Sequence, residues 1–116
     1  MKYAILIYDD PAVVPASMGD LGPDYEKFAG GLVEAGQMHG GEQLSLTSVT
    51  TLRSDGGRTI VADGPFAETK EQLGGFFLVE CDSLDDALEI AGRIPSLRVS
   101  GKVEVRPVVG DDEEHH

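Results

Sequence analysis

"KYAILIY", residues 2–8, decides how this chain folds. Tyr3, Ala4, Ile5, Leu6, Ile7 and Tyr8 are apolar at consecutive rather than alternate positions, so as a strand they need cover on both faces. "GFFLVEC", residues 75–81, repeats the pattern. Between and after these strands the chain has room for only two short helices. Helices on one side of a sheet leave its other side apolar and open to water. A second copy of the chain is the simplest cover, and a two-fold contact its commonest form. The expectation is a homodimer closed sheet on sheet.

The remaining elements follow from period and punctuation. Pro23 and Asp24 are read as opening a helix in which Tyr25, Phe28, Leu32 and Ala35 recur at helical spacing, with Gly36 as its stop. Gly30-Gly31 inside it suggests a close-packed neighbour, since each glycine costs about 1 kcal/mol relative to alanine. Thr47–Arg53 and Arg58–Ala62 read as strands joined by Ser54-Asp55-Gly56-Gly57, a hairpin signal, with a loop or bulge near Thr47 where the apolar phase shifts. Ser83 caps a second helix by accepting from the N–H of Asp86, with Leu84, Ala87, Leu88 and Ala91 as its buried stripe and Pro95 beyond its end. In the last strand, Lys102–Val108, Val103 and Val105 share one side, Glu104 and Arg106 the other. The order is βαβββαβ, an α+β domain with an antiparallel sheet and two helices on one face.

Composition narrows the function. The 116 residues suit one domain over 1–109, with 110–116 read as a disordered acidic tail whose final histidines resemble a tag remnant. Twenty-one acidic against nine basic residues give a formal charge of −12, which opposes binding to nucleic acid. No apolar run approaches the roughly 18 residues of a membrane span, and the N-terminus lacks a secretory pattern, so the expected location is cytoplasmic. Cys81 has no partner for an internal disulfide and reads as a small core residue. His39 and Glu42 are too few for a metal site, and no glycine run matches a nucleotide fingerprint, so neither metal nor cofactor is expected.

The stretch "DGPFAETKEQLGGFFLVE", residues 63–80, followed by a capped helix and "GKVEVRPV", closely resembles the YCII-related family in its DGPF-domain branch. The resemblance spans Lys2 to about Val109. It implies a ferredoxin-like fold assembled as a dimeric α+β barrel. Some members are encoded near extracytoplasmic-function sigma factors. The better-known branch uses a His–Asp pair with the histidine early in the first helix. Here Asp24 or Tyr25 stands at that spacing, and His39 lies beyond the helix.

Individual residues carry two readings each. Asp63-Gly64-Pro65 is a tight turn, or Asp63 is a cleft carboxylate held for proton transfer. Phe66 anchors that loop or lines the cleft. Glu68, Lys70 and Glu71 form a solvated charge cluster or hold a substrate between cation and base. Gly74-Gly75 lets a backbone or a ligand come close. Glu104 and Arg106 form an interfacial ion pair at the dimer interior, with Lys70 or Glu71 of either copy as partner, or Arg106 clamps a carboxylate there, with Tyr8 and Asp9 on the same wall. His39, titrating near neutrality, is the second candidate base. Together they suggest a cleft binding a small, anionic organic molecule, with cofactor-independent isomerase- or lactone-type chemistry in prospect. The alternative is a non-enzymatic accessory or regulatory module that binds a protein partner, linked to extracytoplasmic-function sigma factors.

Overall fold

A computed structural model describes residues 1–65, 70–98 and 101–110, with 14–21 as backbone only. The acidic tail from 111 onward therefore lies outside the described residues, as do Phe66 and Glu68. Six strands and two α-helices run in the order β1 (Lys2–Asp9), α1 (Val14–Glu34), β2 (Met38–Gln43), β3 (Thr50–Asp55), β4 (Arg58–Asp63), β5 (Gln72–Glu80), α2 (Leu84–Ala91) and β6 (Lys102–Pro107), with a 3₁₀ turn at Pro95–Arg98. Four strands make one antiparallel sheet in the order β2-β5-β1-β6. This α+β arrangement with two helices is consistent with a ferredoxin-like fold.

The sequence reading missed β2. "MHGGEQ" has no apolar alternation and two glycines, and it becomes a strand only because β5 offers it a ladder. Gly41 permits the approach, since a Cβ there would lie 2.7 Å from the Phe76 carbonyl oxygen. With β2 filling the sheet edge, β3 and β4 form a separate two-stranded arm. Gly56 and Gly57 turn it with φ of +60° and +84°, as the Asp-Gly signal requires. Residues 44–49 form the loop expected near Thr47.

Within one copy of the chain, the two faces of β1 are covered unequally. Its burial alternates: Tyr3, Ile5, Ile7 and Asp9 point into the core, whereas Ala4, Leu6 and Tyr8 are half-buried on the other face. Val79 and Leu32 complete the inner cluster with Ile90, Ala91 and Ile94, and Phe28 meets Phe77 edge to face at 5.2 Å. On α2 the buried residues are Ala87, Ile90 and Ala91, joined by Ile94, at helical spacing. Leu84 and Leu88, expected in that stripe, are 48% and 49% exposed because the helix is rolled toward its Ile90 side. The Ser83 cap is in place, accepting from Asp86 N–H at 3.2 Å.

Helix α1 begins at Val14 and runs through Pro23 instead of starting there. Proline forfeits one backbone hydrogen bond inside a helix, and packing of Tyr25, Phe28 and Leu32 against the core holds the segment together regardless. Gly30 and Gly31 have no close-packed neighbour: a Cβ at either would meet nothing within 4 Å. Among the described residues no helix is long and apolar enough to cross a membrane.

The two glycine pairs should thus respond oppositely to alanine. Gly30→Ala and Gly31→Ala are each expected to raise stability by about 1 kcal/mol through helix propensity. Gly74→Ala is expected to cost roughly 1–3 kcal/mol by overpacking, because its Cβ would lie 2.9 Å from Asp9 Oδ2. Urea unfolding midpoints measure both.

Candidate functional site

Asp9 occupies the position where the β1 alternation calls for the next core residue after Ile7. Its side chain therefore enters the interior, and the residue is 8% exposed. β5 makes room for it. Between Ile7↔Gly75 and Tyr8↔Leu73 the register slips, leaving Gly74 as the extra residue of a bulge. The missing Gly74 side chain is space that the Asp9 carboxylate fills. Gly101 does the same from the other side, where a Cβ would lie 3.1 Å from Asp9 Oδ1 and 2.9 Å from Ser96 Cβ.

Ser96 is buried in the 3₁₀ turn after α2, close to the Asp9 carboxylate. Its Oγ hydrogen-bonds the hydroxyl of Tyr25, brought in by α1. Three elements distant in sequence thus bring Tyr25, Ser96 and Asp9 together. Asp9 and Tyr25 line a cleft of about 710 Å³ between α1, the β2–β3 loop and the bulged part of β5. Its walls include Phe77 and Leu46, and its rim carries Glu26 and Glu42. No Lys, Arg or His is among the described lining residues.

Electrostatics follow from burial. Removal from water pushes the Asp9 carboxyl above its ordinary range, and the Ser96 hydrogen bond to the charged form opposes this in part. Burial likewise raises the Tyr25 hydroxyl, with Ser96 lowering it and the Asp9 charge adding to the rise. Among the described residues no cation pairs with Asp9. Its neighbour Asp10, also buried, differs: Oδ1 accepts from Ala12 N–H at 2.9 Å and Oδ2 lies 3.6 Å from Lys70 Nζ. Asp10 secures the turn out of β1.

The other residues singled out from sequence are dispersed. Asp63 ends β4, exposed, and Gly64 after it has φ +102° with its N–H donating to Val49 O at 2.7 Å, so this is a built corner. Thr51 Oγ1 donates to Gly64 O and closes it. His39 is a bulged residue of β2 with Nε2 3.6 Å from Glu80 on the exposed edge. Lys70 reaches Asp10, and Glu71 pairs with Lys102 at 2.8 Å. On the outer face of the sheet, the Tyr8 hydroxyl and Arg106 Nη2 both donate to Glu104 Oε1 at 3.1 Å. Asp9 alone of these residues lines the cleft with the Tyr25–Ser96 chain. Among the described residues no cluster of three His, Cys, Asp or Glu is arranged to hold a metal ion.

Tyr25 and Ser96 were missed as functional residues. Tyr25 reads as an apolar helix position and as one of two residues at the spacing of the better-known branch's histidine, and no pattern singles out Ser96. One signal was legible: extending the Tyr3, Ile5, Ile7 alternation by a step puts a carboxylate inside.

Residues 1–110 match the model of the YCII-related domain. An uncharacterized protein of Rhizobium meliloti (strain 1021) is 44% identical over 118 residues, covering 93% of this chain and 92% of the relative.

The raised Asp9 carboxyl fixes a sign for pH dependence. Since its folded value exceeds the unfolded one near 4, its favourable contribution is present below that value. It is lost as the pH rises through the folded value. Asp9→Asn should therefore match the wild type in melting temperature below about pH 4 and exceed it increasingly at higher pH. Melting curves from pH 3.5 to 8.5 test this, and a variant less stable at pH 8 than the wild type counts against it.

Proposed function

The chain belongs to the YCII-related family, and from that premise we propose that it binds a small organic molecule in the Asp9 cleft and moves a proton there without a cofactor. The observation carrying this is a carboxylate nine-tenths buried, without an ion-pair partner among the described residues, lining an open cleft together with Tyr25. Raised carboxyls in clefts are suited to taking and returning protons near neutral pH. Asp9 is the proton-handling group. Tyr25 is placed to contact an oxygen that gains charge as the ligand loses its proton. The reaction class is isomerisation or lactone chemistry next to a carbonyl.

The ligand's charge follows from the walls. Asp9, Glu26 and Glu42 face the cleft with no Lys, Arg or His among the described lining residues to offset them, so an uncharged carbonyl compound suits it better than the anion expected from Lys70 and Arg106. The aromatic and leucine walls supply apolar contact. Asp63-Gly64-Pro65-Phe66 supports membership of the DGPF-domain branch, with Asp63 serving the corner.

A homodimer belongs to the same proposal. Ala4, Leu6, Phe76 and Leu78 form an apolar centre on the sheet face away from the helices, bordered by the Tyr8–Glu104–Arg106 cluster. Pairing two such faces would make the dimeric α+β barrel. The β3–β4 arm favours a second reading, an accessory module that binds a protein partner: Leu52 and Val61 face each other across it at 62% and 64% exposure.

Proton transfer is read directly as deuterium uptake, by NMR in D₂O, at the carbon next to the carbonyl of small lactones and cyclic ketones. Wild-type protein is expected to accelerate uptake, and Asp9→Asn to lose about 10²–10⁴-fold of that acceleration. Equal uptake with both proteins, or none with a broad panel, argues against the chemistry. Sedimentation should show a dimer at micromolar concentration, reduced to monomer by Leu6→Glu. A stable wild-type monomer removes the barrel.

A further inference from the structure

We propose that the β3–β4 arm docks on a second copy of this chain, its apolar face against the other body, and that this contact steadies one wall of the Asp9 cleft. It rests on the homodimer reading and commits the arm to that copy rather than to a different protein.

The arm is a strand pair without a covering layer. β3 and β4 have six residues each, none of them buried, and they pair only with each other. A two-stranded hairpin standing alone is marginal in water and gains independent stability when one face packs on something. Cross-strand pairing sorts its side chains onto two faces. One carries Leu52 opposite Val61, and between Thr50 and the turn that face bears no charge. The other carries Arg53, Arg58 and Ile60. Leu52 and Val61 are more exposed than any other apolar side chain of a described strand.

Size and charge favour a second copy as the cover. Stable interfaces use about 20–30 residues a side. The outer sheet face supplies fewer, because its four strands are six to nine residues long and show every second side chain there. The arm adds the missing area. Residues 50–63 hold two arginines and two aspartates, so the arm is formally neutral and the whole charge of −12 falls on the rest of the chain. Arg53 and Arg58 have no hydrogen-bond or ion-pair partner among the described residues, although acids outnumber bases 21 to nine. A second acidic body complements these two guanidinium groups, and a neutral arm approaches it without repulsion. The ribbon is only two strands wide, roughly 5 Å between strands, so long arginine side chains on its back reach the rim of the contact.

The arm also grows out of the cleft. Leu44, Ser45, Leu46 and Thr47, which lead into β3, line the cleft that holds Asp9. Ser45 Oγ accepts from the N–H groups of Thr47 and Ser48 at 3.2 and 2.9 Å, and Leu46 packs where a Gly74 Cβ would stand, 3.2 Å away. At the arm's base Gly64 N–H donates to Val49 O. The arm and this wall are therefore one connected segment, and holding the first holds the second.

Hydrogen exchange, followed by mass spectrometry below and above the dimer dissociation constant found by sedimentation, tests this without a ligand. The amides of β3 and β4 are expected to exchange about tenfold or more slowly in the dimer than in the monomer, and those of residues 45–47 to slow with them. Leu52→Lys combined with Val61→Lys is expected to weaken the dimer by about tenfold or more. A dimer whose arm exchanges as fast as the monomer's overturns the proposal and leaves the sheet-on-sheet homodimer standing. An unchanged dimer constant in the doubly substituted chain, shown folded by circular dichroism, does the same. If that variant does not fold, the wild-type exchange measurement decides. Protection of the arm without residues 45–47 overturns the link to the cleft. A wild type that stays monomeric removes the homodimer and this proposal together, and the Asp9 chemistry is untouched by either result.

Discussion

The two-residue period of β1 is the constraint on which the rest depends. Tyr3, Ile5 and Ile7 must face the helices if the core is to close, and the same geometry then carries Asp9 inward with no freedom to choose otherwise. A one-residue slip would rescue the carboxylate from burial but turn Ile5 and Ile7 outward. Burying several large apolar side chains, each worth about 1.5–3 kcal/mol, outweighs the cost of one carboxyl that is able to take up a proton. The fold therefore places a destabilised acid at the end of its central strand.

Local backbone chemistry makes that position tolerable. The Gly74 bulge and Gly101 each omit a side chain where the Asp9 oxygens lie. The glycines read as permissive for a ligand or backbone are occupied by the protein itself: Gly74 faces the Asp9 carboxylate, and Gly75 faces the carbonyl oxygen of Glu42, 3.0 Å from where its Cβ would stand. Gly30 and Gly31, read the same way, face open space. A glycine in sequence announces that a side chain is missing. It does not announce what stands in the gap.

Charge shows a similar division. Exposed pairs such as Glu71–Lys102 and Arg98–Asp24 satisfy surface side chains and contribute little to stability. Asp10 is buried with a cation and a backbone donor, whereas Asp9 has no ion-pair partner among the described residues. Two adjacent aspartates thus take different roles because successive residues of a strand's end face different surroundings. The same logic keeps Glu104 and Arg106 on the outer sheet face, two apart and sharing an acceptor with Tyr8.

The sequence by itself determined the antiparallel α+β class, the Gly56-Gly57 hairpin, the Ser83 cap, the inward Val103 and Val105 and the Asp63-Gly64 corner. Each is written in neighbouring residues through period or turn chemistry. It left out β2, whose strand character comes from its partner, and gave α2 the wrong rotation, because three residues of helix advance the apolar stripe only approximately. The site was the least legible part. Asp9, Tyr25 and Ser96 are joined by no spacing rule, since what brings them together is the packing of α1 and the 3₁₀ turn over the end of β1, and such long-range placement exists only once the chain has folded.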